Sequence, residues 1–93
     1  MSERDLSNEE RERYIRLCQA GHASAMQNKL YEAHFYFRKA VEIYPFSTNV
    51  WLWLARVVES HDDRIVALQN VLAINPNHED AKRRLMELRR NQR

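Results

Sequence analysis

The sequence predicts an all-α protein of five short helices, arranged as antiparallel pairs that repeat along the chain. Three observations carry this. First, the 93 residues include one glycine, Gly21, and two prolines, Pro45 and Pro76; a β-sandwich of this length needs several Gly- or Pro-rich turns. Second, most other positions hold Ala, Leu, Glu, Arg, Gln or Lys, the stronger helix formers. Third, both prolines close segments of the same form, Val41-Glu42-Ile43-Tyr44-Pro45 and Leu72-Ala73-Ile74-Asn75-Pro76. A proline cannot continue a helix. The distance between the two falls in the ~20–50-residue range of periods that marks stacked supersecondary units.

Capping residues place the helix starts. Ser7-Asn8-Glu9-Glu10 reads as a capping box, with Ser7 as N-cap and Glu10 reaching back. Ser47 or Thr48 opens a helix after Pro45. Ser60, followed by Asp62 and Asp63, opens another, its carboxylates at the positive end of the helix dipole. Asn77, with Glu79 and Asp80, is expected to open the last. The predicted helices span 8–27, 31–43, 48–59, 62–74 and 78–91. Short connections make sequential helices antiparallel neighbours. The chain is then a single domain over 1–93: a tail (1–7), a first unit (8–45), a second unit (46–76), and a closing helix with a basic tail (77–93).

Each central helix carries one apolar stripe at spacings of three and four. The stripes are Ala33, Phe37, Ala40, Val41 and Tyr44; then Val50, Trp51, Leu54, Val57 and Val58; then Ile65, Leu68, Val71, Leu72 and Ile74. Gly21 lies inside the first helix, where it costs ~1 kcal/mol against alanine. That cost is tolerable where another helix must approach closely.

Net charge is +2, too small to imply nucleic acid, although Glu3, Asp5, Glu9 and Glu10 cluster at one end and Lys82, Arg83, Arg84, Arg89, Arg90 and Arg93 at the other. The basic residues alternate with Leu85, Glu87 and Leu88, as on a solvated helix face, so nucleic acid is not the expected partner. Cys18 is the only cysteine, so an intrachain disulfide is excluded and a reducing, cytoplasmic setting is expected. No apolar run approaches the ~20 residues of a membrane span, and the N-terminus lacks the apolar core of a secretory signal. His22, His34, His61 and His78 form no pattern of metal-ligand spacing; His61 and His78 are expected near helix starts, in solvent. Cys18 has no neighbour that marks a nucleophile. No Gly-rich phosphate loop or other catalytic pattern is present, so neither enzyme activity nor a cofactor or metal is expected.

These residues resemble the tetratricopeptide repeat, a helix–turn–helix unit of about 34 residues. Gly21 takes the family's small-residue position, Asn28 and Lys29 the turn, Ala33, Phe37 and Ala40 the second helix, and Pro45 the close. Trp51, Leu54 and Ala55 match the W-x-x-L-G/A positions of a second unit, and Gly21 and Ala55 stand one family period apart. The match covers about residues 14–91. It departs from the family at Leu17, where Trp is common, and at Ser24, where Tyr is common. The second unit is about three residues short near Glu59-Ser60-His61, and Arg64 stands where the family has a small alanine.

The resemblance implies a right-handed α-solenoid whose first helices line a concave groove that holds a peptide or protein segment. By that geometry the groove is lined by Ile15, Cys18, Gln19, His22 and Met26, by Asn49, Leu52, Trp53 and Arg56, and by Arg83, Arg84 and Glu87: an apolar floor with a basic rim. Trp53 stands two residues from Trp51 and therefore points elsewhere, either into the groove as an anchor or onto the closing helix near Leu85 and Leu88. The family's Lys/Asn dicarboxylate clamp has no counterpart, because Cys18 and Trp53 occupy positions that would need polar donors. Tyr31 and Phe35, on the far side of the second helix, are candidates for a second interface, and a homo-oligomer or larger assembly is the alternative role.

Overall fold

A computed structural model describes residues 5–91; Glu3, Arg4 and Arg93, which belong to the terminal charge clusters, lie outside them. The described chain is all-helical: α1 (Asn8–Met26), α2 (Leu30–Ile43), α3 (Thr48–Val57), α4 (His61–Ile74) and α5 (Glu79–Arg90). Every boundary falls within two residues of the sequence expectation.

Local chemistry accounts for the boundaries. At the start of α1 the Ser7 hydroxyl accepts from the Glu10 N–H at 3.1 Å, and the Ser7 N–H donates to Glu10 Oε1 at 3.0 Å. This reciprocal box satisfies two of the N–H groups that a helix start leaves without partners. The α1 C-terminus closes with Asn28 in the left-handed region at φ 60°. The Lys29 N–H donates to Ser24 O at 2.8 Å and the Asn28 N–H to Ala25 O at 3.0 Å, the paired bonds of a Schellman ending.

The helices α2 and α4 end alike. Tyr44 and Asn75 are extended (φ −142°, ψ 100° and φ −132°, ψ 91°), as a following proline demands. Both helices are 14 residues long, and their starts, Leu30 and His61, are separated by the same interval as Pro45 and Pro76. The next helix start obeys the same register. Ser47 Oγ accepts from the Val50 N–H, and at the equivalent position of the following unit His78 Nδ1 accepts from the Ala81 N–H. The N-cap of α5 is therefore His78, not Asn77. An imidazole nitrogen reaches the same orphan donor that a hydroxyl serves in α3.

The core comprises Ala33, Phe37, Ala40, Val50, Leu54, Ala55, Val57, Val58, Ala67, Leu68, Val71, Ala81 and Leu85. The stripes differ from expectation in two ways. Ile43 and Ala67 are buried although neither stands in a predicted stripe, while Val41, Tyr44, Trp51, Ile65, Leu72 and Ile74 are only half-buried. Trp51 is thus not the central aromatic. It lies at the edge, its indole N–H donating to Pro45 O at 2.7 Å, and Phe37 fills the centre. Full burial of a side chain such as Phe37 or Leu68 contributes roughly 1.5–3 kcal/mol.

At Gly21 the α1 backbone lies close against the Phe37 ring of α2. A Cβ built there would stand 2.9 Å from two Phe37 ring carbons. The glycine exists to admit the ring. In the second unit the family period takes Gly21 to Ala55 and the proline interval takes Phe37 to Leu68; both residues are buried and line one cleft.

Arg64 explains how α3 stops after 10 residues. Its Nε donates to Ala55 O at 2.9 Å and its Nη2 to Val58 O at 2.6 Å. One guanidinium from α4 satisfies carbonyls at the C-terminus of α3, where helix carbonyls lack partners and cations are favoured. The shortened turn over 58–60 and the arginine in place of a small residue are one device.

The principal helix contacts are between chain neighbours: α1 with α2, α2 with α3, α3 with α4, and α4 with α5. The molecule measures 45 × 36 × 17 Å, so it is a slab about two helices thick.

Candidate protein-binding face

Ile15, Gln19, His22 and Met26 recur at spacings of four, three and four, one stripe along α1. Asn49, Leu52, Trp53 and Arg56 form the corresponding stripe on α3. Trp53 ties the two together. Its ring stacks on Phe37 at 5.7 Å between centroids with planes 14° apart, and meets His22 edge-on at 5.0 Å. The Arg56 guanidinium carbon lies 5.3 Å from its centroid, within cation–π range. The indole is a half-buried wedge between α1 and α3, seated on the core by Phe37.

Around the wedge the stripe is open. Met26 is 71% exposed and Ile15 45%; Gln19, His22, Asn49 and Arg56 are exposed, and Leu52 is half-buried against the core. Cys18 lies half-buried beside Tyr14. Burial pushes the Cys18 thiol above its ordinary pKa, opposed in part by a hydrogen bond with Tyr14. Burial likewise raises the Tyr14 hydroxyl, opposed by a hydrogen bond with Ser47. Cys18 packs against the core. Tyr14 also meets the Tyr44 ring at 5.6 Å, and Tyr44 meets Phe46 at 5.5 Å, an aromatic file at the α2–α3 turn.

On the closing helix two of the basic side chains share one partner. Arg83 and Arg84 both engage Asp80, Arg84 through Nε at 3.0 Å. One carboxylate thus lies between two guanidiniums. Arg84 lines a cleft of about 230 Å³ with Ala55, Arg64, Leu68, Glu87 and Leu88, between α3, α4 and α5. Arg83 is not among the residues that line this cleft, and its side chain is 65% exposed.

His61 and His78 are half-buried rather than solvated, which overturns the sequence expectation. His78 caps α5, and His61 Nε2 lies 3.1 Å from Leu88 O, pinning α5 to the start of α4. Sequence reasoning missed this pair and Arg64. The repeat register running on from Ser47 was the one signal that pointed to His78. Among the described residues no group of three or more His, Cys, Asp or Glu side chains is placed to hold a metal ion, and no helix is long and apolar enough to cross a membrane.

Tyr31, at the start of α2, is 85% exposed and Phe35 is 53% exposed. Phe35 meets Tyr36 edge-on and carries Lys39 Nζ 5.7 Å from its centroid.

No protein-family model matches the chain, and no curated protein matches it at a significant level.

Proposed function

We propose that this chain is a protein–protein interaction module of the tetratricopeptide type. In this reading α1, α3 and α5 line the concave side of a right-handed solenoid, and a peptide or protein segment docks along it. Two features support the solenoid. The helices pack mainly on their chain neighbours, and the slab is far flatter than a closed five-helix bundle of this size.

The observation that carries the binding role is the Trp53 wedge. Its inner face is fixed by Phe37 while His22 and Arg56 frame its rim. Exposed Ile15 and Met26 extend the apolar floor on one side, and half-buried Leu52 extends it on the other. A rigid aromatic set among apolar and cationic groups suits a segment with a large apolar side chain followed by a carboxylate. Arg56 is the cation best placed to meet that carboxylate, because Arg83 and Arg84 already share Asp80. The role is binding and not catalysis, and the setting is cytoplasmic.

Selection of peptides from a displayed random library, followed by calorimetric titration of a recovered peptide, tests this. Arg56→Glu and Met26→Glu change exposed side chains and leave the core intact. Each is expected to weaken binding at least ~10-fold, about 1.4 kcal/mol, with helix content unchanged. Equal affinity for both variants and the unmodified chain would move the docking site elsewhere.

A further inference from the structure

Two histidines hold the closing helix at opposite ends, and their hydrogen bonds ask opposite things of a proton. At the start of α5, His78 Nδ1 accepts from the Ala81 N–H at 3.1 Å. A backbone N–H can only donate, so Nδ1 carries no proton there and the ring is neutral. Near the other end, His61 Nε2 lies 3.1 Å from Leu88 O. A carbonyl can only accept, so this Nε2 carries a proton, and it does so whether the ring is neutral or cationic. Adding a proton destroys the first bond and spares the second.

The surroundings widen the difference. An imidazolium at His78 stands at the positive end of the α5 dipole, where cations are disfavoured. The main packing partner of α5 is α4. The end of α4 and its following turn, 65–77, hold no ionisable side chain, and neither does the chain over 46–55 that enters α3. The charged groups beside His78 are those of its own first turn. Glu79 pairs with Lys82 at 3.7 Å, and Asp80 is shared by Arg83 and Arg84. Those carboxylates attract an imidazolium but do not restore the acceptor that the Ala81 N–H has lost. At His61 an imidazolium meets the C-terminal end of α5, where cations are favoured. Its charged neighbours are Glu59, Asp62, Asp63 and Arg64 on its own segment and Arg84, Glu87 and Arg89 on α5.

The geometry points to α5 as a proton-sensitive latch: a proton on His78 unfastens the first turn while His61 holds the last. Histidine changes charge between about pH 5 and pH 8. The cap exists only with the neutral ring, so its contribution to stability is present at the upper end of that range and is lost as pH falls. Opening the first turn withdraws Ala81, 0% exposed in the closed helix, from the core. It also removes the helical spacing that brings Arg83 and Arg84 to Asp80, so acid frees two guanidiniums.

The test follows the Cα chemical shifts of residues 79–82 by NMR from about pH 8 to about pH 5. Those of 48–51, the turn that Ser47 caps, are the internal reference. The ratio of helical to frayed first turn in α5 should fall at least ~3-fold, as expected for loss of a cap, while the α3 turn and residues 88–90 keep their shifts. In His78→Ser a hydroxyl caps throughout this range, so 79–82 should stay helical. Constant shifts over 79–82 in the unmodified chain overturn the inference. So does an equal loss in His78→Ser, or a loss shared by 48–51, which marks general acid unfolding.

Discussion

Replacing Gly21 with alanine sets two effects of opposite sign against each other, and the structure decides between them. Alanine inside a helix is favoured over glycine by ~1 kcal/mol. At this position, however, the new Cβ would stand 2.9 Å from the Phe37 ring, and that ring is 2% exposed and stacked on Trp53. It cannot retreat without moving the indole. Over-packing of this kind costs ~1–3 kcal/mol, so Gly21→Ala should destabilise by about 1 kcal/mol, lowering the melting temperature by roughly 4–8 °C for a domain of this size. Phe37→Leu alone should cost ~1–2 kcal/mol as a cavity. The double variant reproduces the Ala55/Leu68 pairing of the second unit, so it should lose less than the sum of the two single changes, with a coupling of ~1–2 kcal/mol. Thermal unfolding followed by circular dichroism, with tryptophan emission as a second probe, measures all four corners of this cycle. A rise in melting temperature for Gly21→Ala, or additivity within ~0.5 kcal/mol as for independent sites, would show that α1 and α2 are not held in contact through this ring.

Other substitutions probe the devices that end and start the helices. Arg64→Met removes the bonds to Ala55 O and Val58 O and should destabilise by ~2–3 kcal/mol in urea unfolding; a lysine there should recover little, having no planar fork. Asn28→Gly relieves the left-handed backbone at φ 60° and should stabilise by ~0.5 kcal/mol in the same assay. His78→Ala should cost ~1 kcal/mol through loss of the α5 cap, whereas His78→Ser should hold much of it, as Ser47 does for α3. Cys18 has its pKa raised in the folded state. Its contribution to stability is therefore complete below the ordinary thiol pKa and is lost as pH rises through the elevated folded value. Alkylation of the native thiol at mildly alkaline pH should be slower than that of the urea-unfolded chain, and equal rates would contradict its burial.

How much of this was legible in the sequence depends on the range of the interaction. The capping box at Ser7, the helix stops before Pro45 and Pro76 and the N-cap at Ser60 all involve partners within four residues and were readable, whereas Ser47 was one of two candidates with Thr48. So was the need for a small residue at Gly21, though not the identity of the ring that demands it. Arg64 was visible only as a misfit, because its acceptors lie six and nine residues back across a turn, and nothing local says that a guanidinium will fold over a helix end. Trp53 shows the same limit. Its spacing from Trp51 excluded a shared direction, but its stacking on Phe37 depends on how α2 and α3 cross. The pairing of Asp80 with Arg83 and Arg84, three and four residues on, lies within ordinary helix pairing distance and could have been read from spacing.

The proposed binding face rests on one asymmetry between two tryptophans, and their indole N–H resonances report it directly. Trp51 donates to Pro45 O at the α2–α3 turn, while Trp53 sits between α1 and α3. In a proton–nitrogen correlation titration with a library-selected peptide, the Trp53 indole signal should move together with the amides of Ile15–Met26 and Asn49–Arg56, and the Trp51 indole signal should stay in place. Movement centred on Trp51, Pro45 and Phe46 with Trp53 unchanged would place the partner at the α2–α3 turn and remove the basis for docking along α1 and α3.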